Sequence, residues 1–398
     1  MRTIDAIDFF YLSMPVIEDI GDGSQDALLV RIEAGGEVGW GECEASPLPT
    51  IASLICPMSH SACKPVSASV LGQPFDSPED IARIHQLVRQ NSADLLQADH
   101  ALSGIDVALW DLLGKLRDDP TYRLLGYSRA YPKVPYASFL FGDTPAETCE
   151  KARRARELGF RAVKFGWGPF GRTNAAEDAD QLVAAREGLG PEGILCVDAG
   201  TVWGTNLEAA YARLNALRDC RVTWLEEPFH TGALQAYRQL ARKCPPSLKL
   251  AGGEGAHNEF MASHMIDYAD VGFIQIDTGR VGGITSARRI VEHALARGVI
   301  YVNHTFTSHL ALSASLQPYA GIQEHFLCEY PAELKPLAWE LTREHLIPDE
   351  NGEIHLPDRP GLGFTPDPET MLRYRVEVEI MVNGEILYHT PHWSRSAL

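Results

Sequence analysis

The stretch VTWLEEP, residues Val222–Pro228, is an apolar run that ends in two adjacent carboxylates and a proline. Its first four residues favour a buried β-strand. Side chains on a strand alternate between its two faces, so we expect Glu226 to point to one side and Glu227 to the other. In isolation, such a run would indicate only a strand whose charged end meets water. Its meaning therefore depends on what the rest of the chain repeats.

The same kind of apolar run recurs from about residue 133 onwards, each time followed by a loop and a helical pattern. Strands that alternate with helices at this interval predict a closed parallel (β/α)8 barrel over residues 133–361. An open doubly wound sheet is the structural alternative, and it is disfavoured by the count of eight and by the absence of a G-x-G-x-x-G motif after any run. The eight runs begin, roughly 23–33 residues apart, at Val134, Phe160, Gly193, Val222, Leu248, Val271, Gly298 and His325.

The residues on both sides of the barrel predict a second, α+β capping domain, formed by residues 1–132 and completed by residues 362–398. Near the start, DALLVRIEAGGEVGWGECEA indicates two antiparallel strands around a Gly-Gly turn, and HALSGIDVALWDLLGKL indicates an amphipathic helix. Near the end, an Asn-Gly pair separates two further strands. Between them, Ser46–Ser67 is rich in proline and serine, and we expect this segment to be a loop that closes over the barrel mouth.

Composition restricts the partners of the protein. The chain has 398 residues, 45% of them hydrophobic, and a formal net charge of −18. This charge disfavours nucleic acid and anionic membranes as partners but leaves a small anionic substrate open. The eight cysteines are scattered, and the N-terminus lacks the pattern of a signal peptide. We therefore expect a cytoplasmic protein with reduced thiols.

Three of the predicted strands end in carboxylates at a constant interval. Asp198, Glu226 and Glu254 follow one another at intervals of 28 residues. The carboxyl ends of barrel strands face one mouth, where three acids would repel each other unless a cation lay between them. Oxygen ligands of this kind select a hard ion, and Mg²⁺ fits best. The spacing therefore predicts a site for one Mg²⁺ per subunit.

The neighbouring strand ends carry groups suited to proton transfer. Asp277 and His304 end adjacent strands, so a hydrogen bond between them would fix the imidazole tautomer and raise its basicity, as a general base requires. Glu329 ends the last strand and would donate a hydrogen bond if it were protonated. Lys164 ends the second strand. The same mouth is thus predicted to hold a metal ion and a base.

A series of motifs runs through the chain in a specific order: HALSGIDVALWDLLGK, GFRAVKFG, VDAG, WLEEP, GGE, QIDTGRVGGIT, VNHT, CEYP and PGLG. In this order they resemble the enolase superfamily and, within it, the mandelate racemase subgroup. The resemblance implies a capping domain over a barrel, with Mg²⁺ held by Asp198, Glu226 and Glu254. It also implies a carboxylate substrate beside Lys164, whose α-proton is removed to give an enediolate.

The chain departs from this subgroup at two positions. Where a second lysine commonly provides a base on the opposite face, the chain has Gly166, and Gly200 replaces a frequent asparagine in D-x-N. With His304 as the one evident base, reversible racemisation is disfavoured. We therefore expect a Mg²⁺-dependent acid-sugar dehydratase that converts a 2,3-dihydroxy carboxylate to a 2-keto-3-deoxy acid.

Three alternatives stay open: a racemase or epimerase with another second base, a cycloisomerase or related lyase, and a non-catalytic metal-binding barrel. A symmetric homo-oligomer is expected for a barrel of this kind. Contacts to the polyol chain of the substrate are predicted for Trp167, Arg172, Trp203 and His60.

Overall fold

A computed structural model describes residues 2–44, 46–95 and 97–392. A three-stranded antiparallel sheet, an eight-stranded parallel sheet and a two-stranded hairpin follow one another along this part of the chain. The strands are β1 Ala6–Ser13, β2 Asp26–Ala34, β3 Glu37–Cys43, β4 Val134–Leu140, β5 Ala162–Gly166, β6 Ile194–Asp198, β7 Val222–Glu226, β8 Lys249–Gly252, β9 Phe273–Ile276, β10 Ile300–Asn303, β11 Leu327–Pro331, β12 Glu379–Val382 and β13 Glu385–His389.

Helices alternate with the strands of the large sheet and also cover the first sheet. They are α1 Pro47–Ile55, α2 Pro78–Asn91, α3 Ala98–Arg117, α4 Thr121–Leu124, α5 Pro145–Glu157, α6 Ala175–Leu189, α7 Leu207–Tyr211, α8 Leu214–Asp219, α9 Leu234–Ala241, α10 Glu259–Tyr268, α11 Gly283–Arg297, α12 His309–Leu316, α13 Pro336–Glu340 and α14 Pro368–Tyr374. None of these helices, within the described ranges, is long and apolar enough to cross a membrane.

The eight predicted runs form the eight strands of one parallel sheet, in the order β10-β9-β8-β7-β6-β5-β4-β11. The (β/α)8-type barrel is therefore confirmed, and the open doubly wound sheet is wrong. Parallel strands covered on both faces need apolar side chains on both, which is why the runs are nearly continuous in sequence. The interior is filled by side chains from every strand, which are Val134, Tyr136, Ala162, Cys196, Trp224, Ala251, Phe273, Val302 and Leu327.

The contact between β10 and β11 differs from the other strand contacts of the barrel. Backbone ladders join the strands from β10 round to β11, but none joins β10 to β11 in the described part of the chain. Instead, the side chain of Asn303 spans this gap. Its Oδ1 accepts a hydrogen bond from Glu329 N at 2.9 Å, and its Nδ2 lies 3.4 Å from Glu329 O. A side-chain amide thus replaces the backbone pairing at the seam between the first and last strands of the sheet order.

The first sheet and α3 form the capping unit. β2 and β3 pair antiparallel around Gly35 and Gly36, as predicted. Helix α3 lies so close to β3 that a Cβ at Gly41 would be 2.1 Å from Gly104 O, so a side chain at Gly41 would separate the two elements. The end of the chain returns to β1, where Tyr388 donates a hydrogen bond to Phe9 O at 2.6 Å.

The segment Ser46–Ser67 differs from its prediction as a loop. Residues Pro47–Ile55 form helix α1, with prolines in the first turn, where a missing N–H costs nothing. Ile51 and Leu54 are fully buried, and their spacing places them on one helix face. The prediction without helix is therefore wrong, because the prolines suggested a loop at the position where this helix begins.

Candidate active site

A cavity of about 280 Å³ lies at the carboxyl ends of the barrel strands, below the loop that precedes β2. Most of the predicted chemical groups line it. This volume is at the small end of ligand pockets and suits a compact substrate. The lining residues are Gly21, Asp22, Gly23, Glu44, Ser138, Phe139, Leu140, Lys164, Gly166, Trp167, Asp198, Glu254, Arg280, His304, Phe306 and Glu329.

The three predicted metal ligands converge in the structure. Asp198 and Glu226 are the last residues of β6 and β7 and lie opposite each other in the ladder. Glu254 lies two residues beyond the end of β8. One carboxylate oxygen from each lies within 4.8 Å of the others. Oxygens about 2.1 Å from one Mg²⁺ are at most about 4.2 Å apart, so small side-chain rotations satisfy that geometry.

The charge of this cluster also fits a cation. Burial, followed by the charge of Glu226, raises the pKa of Asp198 well above its usual value. The Lys164 ammonium lies 2.7 Å from Glu226 Oε1, 2.7 Å from Glu329 Oε1 and 3.9 Å from Asp198 Oδ2. One ammonium group therefore faces three carboxylates, two of which belong to the donor set, and a divalent ion would offset the remaining negative charge.

Glu227 lies just beyond the strand whose alternation was used to predict its direction. The strand ends at Glu226, and Glu227 has φ +37°, so the two-residue period of a strand no longer applies to it. The side chain is buried, and burial together with the charges of Glu254 and Glu226 raises its pKa to about 8. Thr231 Oγ1 lies 3.5 Å from Glu227 Oε1, and among the described residues Glu227 belongs neither to the cavity lining nor to the group of three carboxylates. The expectation that it faces away from the mouth therefore stays a prediction.

His304 and Asp277 form the predicted pair. His304 Nδ1 lies 2.7 Å from Asp277 Oδ2, and Nε2 points to Glu254 Oε2 at 3.1 Å. Burial alone would lower the pKa of His304, but the charges of Glu254, Glu329 and Asp277 raise it well above its usual value. The imidazole thus lies between the Asp277 carboxylate and the cluster of three carboxylates.

Glu329 and Lys164 lie together beside the cluster, and Glu329 Oε2 is 3.9 Å from His304 Nε2. Glu329 Oε2 accepts a hydrogen bond from Thr305 N at 2.9 Å, while Oε1 faces the lysine ammonium. In this structure Glu329 therefore orients Lys164, and its role as a proton donor stays a prediction.

The absence of a side chain at Gly166 has a steric explanation. A Cβ at this position would lie 2.9 Å from Asp198 Cβ and 3.0 Å from its Oδ2, so a side chain would displace the carboxylate. Among the described residues, one histidine and one lysine line the cavity, His304 and Lys164. No second lysine or histidine in the described lining therefore takes the place of the lysine that the subgroup commonly has at the position of Gly166.

Of the four residues predicted to contact the polyol chain of the substrate, one lines the described cavity and three do not. Trp167 lines the cavity, with φ +55°, and its indole lies between Gly21 and Gly200. Arg172 and Trp203 lie outside the lining, where Arg172 Nε donates to Gly168 O and Trp203 Nε1 to Gly171 O.

His60 also lies outside the lining, since its Nε2 is 3.1 Å from Asp94 Oδ2 on an exposed surface. The segment Ser46–Ser67 that contains it contributes no residue to the described cavity wall. The loop carrying Gly21–Gly23 lies at the mouth instead. The Gly-Asp-Gly sequence was a turn signal that could have identified it.

Sequence reasoning also missed Arg280 and Glu44. Arg280 Nε and Nη2 lie 2.9 Å and 2.6 Å from Glu44 Oε2, and Nη1 donates to Glu254 O at 2.8 Å. Burial would lower the pKa of the guanidinium, but Glu44, Asp277 and Glu254 raise it. The signal available was an arginine three residues after Asp277, in the loop that follows β9.

Comparisons with known proteins agree with this architecture. Residues 147–370 match the family described as Enolase C-terminal domain-like, and residues 20–126 match the Mandelate racemase / muconate lactonizing enzyme, N-terminal domain. A crystal structure from Rhodobacter sphaeroides, described as a predicted mandelate racemase, superimposes with a TM-score of 0.94 at 58% identity. It covers 98% of this chain and 100% of that one.

Two curated relatives have named activities. The L-talarate/galactarate dehydratase of Salmonella typhimurium is 31% identical over 77% of this chain and 73% of its own length. The D-galactarolactone cycloisomerase of Agrobacterium fabrum is 28% identical over 88% of this chain and 91% of its own length. These similarities support an enzymatic activity. Both domain models, the barrel and the described site agree, and the chain belongs to the enolase superfamily, in the mandelate racemase subgroup.

Proposed function

We propose that the protein is a Mg²⁺-dependent dehydratase of a sugar acid. The observation that carries this proposal is the one-sided arrangement of bases: His304 lines the cavity beside Asp277, and Gly166 stands where a second lysine would be needed for racemisation. A two-base racemase exchanges protons on both faces of the α-carbon, whereas elimination of water needs one group that removes a proton and returns it. The dehydratase relatives support the same reaction class.

The proposed reaction assigns a residue to substrate binding, to removal of the α-proton and to loss of water. Lys164 binds the substrate carboxylate, and His304 Nε2 takes the proton from C2, whose electron pair passes into the enediolate. That pair then forms the C2–C3 double bond as the C3–O bond breaks, and His304 protonates the departing hydroxide to give water. The resulting enol tautomerises to the 2-keto-3-deoxy acid. Asp277 holds the imidazole throughout.

The donor set Asp198, Glu226 and Glu254 would hold the Mg²⁺ ion. When bound, the ion supplies positive charge beside the substrate carboxylate, which lowers the free energy of the developing negative charge. Lys164 adds a second positive charge from its buried position. We expect a small carboxylate as the substrate and a symmetric homo-oligomer as the working assembly.

The test is proton NMR in deuterated water on a panel of sugar acids, with Mg²⁺ and both C2 epimers of every accepted substrate. We expect a 2-keto-3-deoxy product from one C2 configuration, and no product or α-proton exchange in His304→Asn. Interconversion of the epimers, or exchange that persists in His304→Asn, would show a second base and favour the racemase.

A cycloisomerase is the second candidate, because the D-galactarolactone cycloisomerase matches over 91% of its own length. It is distinguished by its substrate, since a cycloisomerase of the galactarolactone type would act on the lactone and not on the open-chain acid. Presenting each sugar acid and its lactone separately in the same NMR assay decides between these two reactions.

A further inference from the structure

The three carboxylates of the proposed metal site are held by the backbone in different ways. Asp198 and Glu226 are terminal strand residues paired with each other in the parallel ladder. Strand β8 ends at Gly252, and Gly253, which has φ +122°, separates this strand from Glu254. No described ladder pairing reaches Glu254. Something other than the sheet must therefore fix this third carboxylate.

Arg280 contacts the backbone of Glu254, whereas His304 Nε2 contacts its side chain. Arg280 Nη1 donates a hydrogen bond to the backbone carbonyl of Glu254 at 2.8 Å. Arg280 lies in the loop after β9, so its side chain connects two neighbouring barrel strands beyond the point where their ladder ends. A charged donor on a carbonyl that lies off the ladder restricts the peptide from which the Glu254 side chain projects.

The guanidinium is itself held by the capping domain. Glu44 Oε2 accepts hydrogen bonds from Nε and Nη2 at 2.9 Å and 2.6 Å, and Glu44 N donates to Gly279 O at 3.0 Å. A Cβ at Gly279 would lie 2.7 Å from Glu44 N, so the two backbones are in close contact here. Glu44 therefore binds the Arg280 loop through both its side chain and its backbone.

We propose that Arg280 is a positioning residue for the third metal ligand, and that Glu44 makes the position of Glu254 depend on the seating of the capping domain. The chain of contacts runs from Glu44 through the guanidinium to the Glu254 carbonyl. This inference rests on the proposed metal site and is independent of which reaction the bound substrate undergoes.

Positioning and simple electrostatics predict opposite results for one substitution. Arg280→Met removes a positive charge close to the metal site, and by charge alone the variant should bind a divalent cation more tightly. If the main role of Arg280 is to hold Glu254, the same variant should bind the cation more weakly. Arg280→Lys keeps the charge but loses the forked geometry, so positioning predicts weaker binding there too.

The experiment measures Mn²⁺ affinity of the metal-free full-length protein by electron paramagnetic resonance, with Mn²⁺ alone as the probe. The variants are Arg280→Met, Arg280→Lys and Glu44→Gln. The matched control is Arg89→Met, because Arg89 Nη1 also joins the capping domain to the barrel, through Glu259 Oε1 at 2.8 Å. Circular dichroism establishes that each variant is folded. If Arg280→Met does not fold, Arg280→Lys and Glu44→Gln carry the test.

We expect the Mn²⁺ dissociation constant to be about 10-fold higher in Arg280→Met, which is the usual size of the effect when a residue that supports a metal ligand is lost. Arg280→Lys and Glu44→Gln should show smaller increases. Arg89→Met should stay within about twofold of the wild type. Unchanged or tighter binding in Arg280→Met, equal weakening in Arg89→Met, or no Mn²⁺ binding by the wild type would overturn the proposal. Mn²⁺ binding without dehydration would refute only the proposed function.

Discussion

His304 Nδ1 lies 2.7 Å from Asp277 Oδ2, and the two residues directly follow the neighbouring strands β10 and β9. This contact assigns Nδ1 to the carboxylate and leaves Nε2 for the cavity. The pairing is set by the ladder, since Asn303 and Ile276, the preceding residues, are partners in the parallel register.

We therefore expect Asp277→Asn to keep the fold and to lower kcat by roughly 10²- to 10⁴-fold, the range of a lost or misoriented general base. Loss of the negative charge also lowers the pKa of His304, so the acidic limb of the kcat/KM profile should move to lower pH. Asp267→Asn is the matched control, because Asp267 forms a comparable pair with His293 Nε2 at 3.0 Å on the barrel surface. Equal losses in both variants would contradict the assignment.

The two adjacent glutamates after β7 should respond differently to substitution. Glu226→Gln removes a ligand and should weaken Mn²⁺ binding by at least about 100-fold, more than the loss of a supporting contact. Glu227→Gln should change it little, because Glu227 is not one of the three residues whose carboxylate oxygens converge within 4.8 Å. Calorimetric titration of both variants checks this, and comparable weakening would show that Glu227 is itself a ligand.

Gly166 should be intolerant of any side chain. Its missing Cβ would lie 2.9 Å from Asp198 Cβ, so Gly166→Ala should displace the carboxylate and raise the Mn²⁺ dissociation constant about 10-fold. Gly232→Ala is the control, since a Cβ there has no atom within 4 Å. Wild-type affinity in Gly166→Ala would mean that the site adapts. In that case Gly166→Lys should also be assayed for epimer interconversion.

Asp106 should make stability depend on pH. Burial raises its pKa to about 7 from the usual 3.8, so the folded protein retains a proton that the unfolded chain releases above about pH 4. The stabilisation is complete below the unfolded value and is lost as pH rises towards 7, by up to about 4 kcal/mol. Urea denaturation of Asp106→Asn from pH 4 to 8 should show a flatter dependence than the wild type. An unchanged slope would contradict the prediction, and exposed Asp219→Asn serves as the control.

Most of the barrel was predictable because its chemistry repeats with its strands. Asp198 and Glu226 are the last residues of β6 and β7, so reading the strand ends located them. His304 and Asp277 immediately follow their strands, and the same reasoning applied. At these positions the local sequence and the sheet register determine where a side chain points.

The remaining parts of the site depend on contacts between distant segments or on local backbone exceptions. Glu227 has a positive φ that ends the alternation, which no residue type signals reliably. Glu44 and Arg280 meet across 236 positions of sequence, and His60 reaches Asp94 rather than the cavity. The contact between Glu44 and Arg280 is set by how the capping domain sits on the barrel, which periodicity within either domain does not encode.

The seam bridged by Asn303 gives this barrel a point of weaker circumferential continuity. The hydrogen bonds of a backbone ladder survive almost any substitution, but a side-chain amide bridge depends on the identity of one residue. This bridge joins Asn303, the residue before His304, to the backbone of Glu329. Local opening is favoured where few hydrogen bonds must break together. Amide hydrogen exchange along β10 and β11 should therefore be faster than along the central strands. The proposed base, His304, directly follows Asn303 at this seam. We therefore expect local opening of the seam to displace His304 before it displaces the side chains at the ends of the central strands.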